Sequence, residues 1–298
     1  MNKKNIAQVL PATVKALTEC DFGNLLAECL HDGEPMPSGR VLSEVVELVR
    51  SIVFPGYFGE PFKDNNTLEY RTGLNVAKVY DLLSEQIHAG ICFEGCESKS
   101  ERRKMAKAMA LEFVEFLPEL RRRLLMDVAA TYDGDPAAKS YGEVISCYPA
   151  IKAIGNYRIA HKLIEIGVPL IPRIVSELAH SETGIDIHPG AQIGDYFTID
   201  HGTGIVIGET CIIGDHVKLY QGVTLGAKSF PVDENGNPIK GIPRHPILED
   251  NVIVYSNSTI LGRVTIGKDA VIGANIWLME DVAPGTQVVQ RKKQKSEI

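Results

Sequence analysis

Three short polar runs carry side chains able to move protons or hold charged groups: Asp186-Ile187-His188-Pro189, Asp200-His201-Gly202-Thr203-Gly204 and Pro243-Arg244-His245-Pro246. A carboxylate beside an imidazole fixes the ring tautomer and stabilises its protonated form, which a general base needs. Asp186 precedes His201 by about one turn of a repeating fold, so the two are expected within reach on neighbouring coils. Arg244 sets a permanent cation beside a second histidine. A lone histidine in a turn is ordinarily just solvated; two, flanked by Asp and Arg, argue for chemistry.

Other chemical templates fail. Gly202, Gly204 and Gly208 miss the G-x-G-x-x-G spacing, and neither a phosphate loop nor a G-x-S-x-G elbow occurs. His188, His201, His216 and His245 include no pair about five apart, as the ligands of a β-helix zinc enzyme would be, so no metal is expected. Asp233 opens like a calcium loop, but Pro238 and Arg244 occupy the positions that demand Gly and Glu. Six cysteines make no disulfide framework, and Cys92 and Cys96 form a single C-x3-C with no second pair. Free thiols are expected.

The elements that must position these side chains follow two periods. Ile187, Ile193, Ile199 and Ile205 are six apart; after a two-residue shift Ile207, Ile213, Leu219 and Leu225 continue. After an interruption the spacing resumes at Leu248, Val254, Ile260, Ile266, Ile272 and Leu278. Four places after most of them comes a small or β-branched residue, such as Ala191, Thr203, Val217, Val223, Val252 or Ser258. Period six is the mark of a hexapeptide β-helix, in which three hexads make a triangular coil and the aliphatic points inward. Such prisms have flat faces and open ends, which points to packing about a threefold axis. The interruption, dense in turn formers, must leave the prism as a loop.

Upstream, Leu42, Val45, Val46 and Val49 form the stripe of an amphipathic helix that Pro55 closes. Helical patterns follow over 67–91, 100–117, 119–130, 148–166 and 169–178, with Pro118 dividing the second from the third. Arg121-Arg122-Arg123 reads as a solvated helix face. The fold class is therefore α+β: a helical domain over 1–184, a left-handed parallel β-helix over 185–285 with an excursion loop at 226–247, and a flexible tail over 286–298. With 44% apolar and 23% charged residues and a net charge of −7, the 298-residue chain buries a core and is not built to coat nucleic acid or an anionic membrane. Lacking a clean signal-peptide core or any apolar run of about 18 residues, it is expected in the cytoplasm.

The helical amino-terminal half, Asp133-Gly-Asp-Pro-Ala137, Tyr157-Arg-Ile-Ala-His161, Asp186-Ile-His-Pro189, Asp200-His-Gly-Thr-Gly204, Gly208-Glu-Thr210 and Arg244-His-Pro246 together resemble the serine O-acetyltransferases. The resemblance runs firmly over about residues 127–285. It implies acetyl transfer from acetyl-CoA to the hydroxyl of L-serine, the step committing serine to cysteine. It makes His201 the base, Asp186 its orienting partner, and Asp135, Asp200, Arg244 and His245 the serine-binding set. It implies a CoA groove along Gly226, Ala227, Ser256 and Ala274, sites shared between adjacent subunits of a trimer or dimer of trimers, and feedback inhibition by L-cysteine. A final isoleucine, here Ile298, implies docking into O-acetylserine sulfhydrylase. The chain departs from the family pattern in its long loop, in Ala227-Lys228, in Tyr255-Ser256 and at Val271, all bearing on CoA rather than serine. Trp277 suits either adenine stacking or a cap over the open prism. Acyl transfer to an amino sugar or homoserine, and a non-catalytic scaffold, are the competing readings; the Asp135, Asp200 and Arg244 set favours an amino-acid zwitterion.

Overall fold

A computed structural model of the chain describes residues 5–19, 36–94 and 98–290. Its helices are α1 (Ile6–Thr18), α2 (Gly39–Val53), α3 (Asn65–Glu94), α4 (Lys99–Gly134), α5 (Tyr141–Cys147), α6 (Pro149–Glu165) and α7 (Ile171–Thr183). The stripe Leu42, Val45, Val46 and Val49 is the buried face of α2. Ser38 caps that helix, and the chain leaves it at Val53, ahead of Pro55. Ser98 and Glu101 close a reciprocal capping box at the start of α4. None of the described helices is long and apolar enough to span a membrane.

Pro118 does not divide α4, contrary to the sequence expectation; the helix runs through it without a break. A proline removes one N–H, whereas the stripe Phe113, Leu117, Leu120 and Leu124 is buried on both sides of it and holds the two halves on one core face.

The second half is a triangular prism of parallel strands. Its first face is β1 (Asp186–Ile187), β4 (Val206–Ile207), β7 (Thr224–Gly226), β10 (Thr259–Leu261) and β13 (Trp277–Leu278). The second is β2 (Gln192–Ile193), β5 (Ile212–Ile213), β8 (Ile247–Leu248) and β11 (Thr265–Ile266). The third is β3 (Thr198–Asp200), β6 (Lys218–Tyr220), β9 (Ile253–Val254), β12 (Val271–Ile272) and β14 (Gln287–Val288). Every aliphatic of the period-six pattern is buried, from Ile187 to Leu278. Each such burial contributes roughly 1.5–3 kcal/mol, so the repeat itself supplies the prism core. β14 pairs with β12, Gln287 opposite Val271, so the prism runs past the boundary at 285 into the expected tail. Trp277 points outward from the first face and is 64% exposed; strand alternation turns Leu278 inward instead, so Trp277 does not cap the prism.

Register locates the two-residue shift. Asp200 pairs with Tyr220 and Val206 with Thr224, so His201 to Ile205 span a corner that Gln221, Gly222 and Val223 span in the next coil. The extra pair falls before Ile205, which lines up with Val223 rather than with the strand aliphatics, and Thr203 is left exposed instead of filling the corner. The excursion leaves after β7 and returns at β8, with a small antiparallel bridge, Val232 to Pro238, at its tip.

A polar clamp fixes the helices on the prism. Arg158 on α6 and Asp127 on α4 form a bidentate pair, Nε to Oδ2 at 2.7 Å and Nη2 to Oδ1 at 2.8 Å, with both residues buried. Arg158 Nη2 also donates to the Gly194 carbonyl at 2.9 Å, and the Phe197 N–H donates to Asp127 Oδ1 at 3.0 Å. Tyr157 donates its hydroxyl to the Ala191 carbonyl at 2.7 Å and accepts from the Ile193 N–H at 3.1 Å. Of the three arginines read as a solvated face, Arg122 is exposed and pairs with Glu119, Arg123 joins the clamp, and Arg121 ties α4 to α2. Arg123 donates to Asp195 Oδ1 and the Ile193 carbonyl, Arg122 reaches Asp195 Oδ2, and Arg121 donates to the Ile52 carbonyl. A charge run in sequence cannot announce such distant partners.

Removing one member of a buried pair strands the other's charge. Asp127→Ala is expected to lower stability by about 3–5 kcal/mol. Asp127→Leu combined with Arg158→Met is expected to lose less than Asp127→Ala, by denaturant unfolding; a double variant as unstable as the single one would contradict the clamp.

Candidate active site

The corner between the third and first faces carries His201. Its φ of 57° is left-handed, a conformation unusual for a side-chain-bearing residue, and its side chain is 74% exposed. Gly202 follows at φ 94°, where a Cβ would press on Ile185 and Ile199 of the prism core. Together they lift the imidazole off the corner. Asp200, at the end of β3, lies 3.6 Å from His201 Nε2 through Oδ1 and 3.3 Å from Lys218 Nζ through Oδ2.

The C-terminus of α4 meets the same corner. Asp135 accepts the Tyr148 hydroxyl at 2.6 Å and the Ala137 N–H at 2.8 Å. Those bonds hold its carboxyl below the usual range, with Lys218 as a nearby cationic contributor, while the Tyr148 phenol is pushed up to about 12. Asp135, Asp200, His201 and Lys218 thus form one cluster contributed by both halves of the chain. Asp186 does not touch His201 in this chain: no hydrogen bond or ion pair joins them, and the nearest carboxylate is Asp200. Gly202 packs on Ile185, the residue before Asp186, so Asp186 remains a neighbour of the corner from the coil beneath.

Arg244 and His245 occupy a different edge, between the first and second faces. The Arg244 Nη2 donates to Glu209 Oε2 at 2.6 Å, and the guanidinium lies 6.0 Å from the Phe230 ring of the excursion. Thr210 organises His245: its Oγ1 accepts the N–H groups of Arg244 and His245 at 2.9 and 3.1 Å. Its own N–H donates to His245 Nδ1 at 3.0 Å. Nδ1 is therefore an acceptor, and the proton of the neutral ring sits on Nε2. Burial, then the Arg244 charge, push the His245 pKa down to about 4. His188 lies on the same edge, accepts the Gly190 N–H at Nδ1, and is shifted down by burial and then by Arg173. Arg263 donates to the carbonyls of Thr210 and His245, at 2.6 and 3.0 Å, and pins this edge.

The sequence-derived residues therefore fall into two groups rather than one. Asp135, Asp200 and His201 share the first corner, with Ser256 and Ala274 in later coils above it, as the Asn257-to-Gln221 and Asn275-to-Ser256 backbone bonds show. Arg244 and His245 share the second, where Gly226 and Ala227 open the excursion. No hydrogen bond or ion pair links the two groups among the described residues. Sequence reasoning missed Lys218, Tyr148 and Arg263, whose partners lie on other elements, and read Thr210 only as part of a motif. No group of three or more His, Cys, Asp or Glu is placed to hold a metal ion among the described residues. Ile298 lies outside them.

The bacterial transferase hexapeptide (six repeats) model matches residues 245–275. A serine acetyltransferase of Synechococcus elongatus is 45% identical over 94% of this chain and 90% of its own length. The chain belongs to the serine acetyltransferase family. Serine acetyltransferase 1 of Entamoeba histolytica, solved in complex with L-cysteine, superposes with a TM-score of 0.73 at 34% identity over 93% of this chain and 94% of that one. Soybean serine acetyltransferase complexed with serine gives 0.55 at 26% identity over 87% and 98%. The family architecture, a helical domain followed by a left-handed hexapeptide β-helix, is the one described above.

Gly208 explains one family motif physically: a Cβ there would fall on the His245 ring. Gly208→Ala is expected to displace that ring and cut kcat/KM for serine by at least about tenfold at an unchanged far-ultraviolet spectrum. An unimpaired variant would show that His245 has no such fixed place.

Proposed function

We propose that the two corners are complementary halves of one site, closed when the second corner of a neighbouring copy meets the first, and that this site transfers the acetyl group of acetyl-CoA to the L-serine hydroxyl. The observation carrying this reading is topological. Both corners flank the first face of the same triangular prism, so within one chain they look away from each other. A threefold arrangement brings unlike corners of neighbours together. The first face also exposes Val206 and Trp277, apolar surface suited to such packing.

In this reading Asp135 and Asp200 hold the serine ammonium, and Arg244 of the neighbouring copy takes the carboxylate, exchanging Glu209 for substrate. His201 accepts the hydroxyl proton as the oxygen attacks the thioester carbon, and passes it to the departing CoA sulfur. Asp200, with Asp186 beneath, stabilises the imidazolium between those events. His245, neutral and carrying its proton on Nε2, is a fixed donor rather than a second base. Backbone N–H groups at Gly226 and Ala227 suit the developing oxyanion, and the CoA chain runs past Ser256 and Ala274. None of these steps calls on a metal.

L-cysteine, the ligand of the Entamoeba relative, is proposed to compete at the serine site. Ile298 is proposed as the anchor to O-acetylserine sulfhydrylase, to be tested by deleting that residue. Assembly as a trimer or pair of trimers and a cytoplasmic location complete the reading.

The direct test follows CoA thiol release from acetyl-CoA. Release is expected to require L-serine and to fall by about 10²–10⁴-fold in His201→Ala. Release independent of serine, or unaffected by the mutation, would return acceptor and base to open questions.

A further inference from the structure

We infer that Lys218 is a positioning residue for the substrate ammonium clamp: it ties the end of α4 to Asp200 and so sets the spacing between Asp135 and Asp200. The inference rests on the clamp reading above. Lys218 opens β6, the strand beside β3 in the third face, where a prism needs no charge, yet its side chain is only 14% exposed. Its Nζ donates to the Gly134 carbonyl at 2.7 Å, lies 3.3 Å from Asp200 Oδ2, and sits 4.8 Å from the Tyr220 ring centroid. Carbonyl, carboxylate and aromatic face thus surround the ammonium.

Two consequences follow for the site. Gly134 is the last residue of α4 and Asp135 is the next, so the Gly134 bond fixes where Asp135 begins. Engagement of Asp200 through Oδ2 leaves Oδ1 facing His201. One lysine therefore joins the carboxylate at the end of the helix to the distant pair of neighbours Asp200 and His201. It also matches the pair electrostatically, since Lys218 and a bound ammonium together balance the Asp135 and Asp200 charges. Tyr220 continues the support upward by stacking on Tyr255 at 4.9 Å.

The test is steady-state kinetics of Lys218→Met, Lys218→Arg and Asp135→Asn in the full-length chain, with serine and acetyl-CoA varied separately. Lys218→Met is expected to raise KM for serine roughly tenfold or more, leave KM for acetyl-CoA within about twofold, and regain much of the loss as Lys218→Arg. An unchanged serine KM, or equal rises in both KM values with a lowered melting temperature, would overturn the inference. If Lys218→Met fails to fold, an Arg variant with wild-type serine KM supports the charge requirement, and Lys218→Gln with that same KM overturns it. If Asp135→Asn also leaves serine KM unchanged, the clamp reading itself fails; if Asp135→Asn raises it and Lys218→Met does not, only the role of Lys218 fails.

Discussion

The buried pair between Asp127 and Arg158 is the contact on which the placement of everything else depends. Asp127 lies on α4 two turns before its end, and the two residues bond to Gly194 and Phe197 at the second corner-turn of the prism. This anchors a 36-residue helix at a defined angle and depth, so that its final carboxylate, Asp135, arrives beside Asp200 and His201. An apolar contact would bury comparable area but would tolerate sliding by a fraction of a turn. Fixed hydrogen-bond directions do not, which matches the view that such pairs contribute geometry more than net stability. The Tyr157 hydroxyl, bonded to both Ala191 and Ile193, and the Arg123 bond to Ile193 act along the same seam.

The proposed site sits where the repeat is broken. A prism of uniform hexads offers flat faces and tight corners with nothing aimed outward. Asn257 and Asn275 at the same corner of later coils share the left-handed backbone of His201, so what the two added residues change there is the length of the corner that carries its exposed ring. The excursion, inserted between β7 and β8, delivers Arg244 and His245 to another edge as it rejoins the coil. There Thr210 and Arg263 hold them by their backbone atoms, so two insertions and their local braces account for both halves of the site.

Much of this was legible in the sequence because its signals are local or periodic. A single aliphatic every six residues writes the prism core directly, and the α2 stripe writes its helix. Short motifs gave the residues proposed to bear the chemistry. What the sequence could not convey is which corner each motif occupies, since the period says nothing about a residue's edge until strands are registered. Asp186 and His201 were expected to touch for that reason, while Asp200 is the closer partner. Pro118 was over-read as a break although the stripe Phe113, Leu117, Leu120 and Leu124 passes straight across it. The Arg121 bond to Ile52, the Arg123 bond to Asp195 and the Lys218 bond to Gly134 each join residues more than 60 apart, which no local pattern can announce.

In the proposed assembly neither corner is an active site alone. Mixing subunits tests it most directly. His201→Ala and His245→Ala chains are each unfolded, mixed in equal amounts, refolded together and assayed for serine-dependent CoA release. In random co-assembly of shared sites, about a quarter of them regain both histidines, so activity is expected to recover to about that fraction of the wild type. Activity no higher than the sum of the two inactive parents, in mixed oligomers verified by mass, would show that each chain carries its own complete site and would contradict the account.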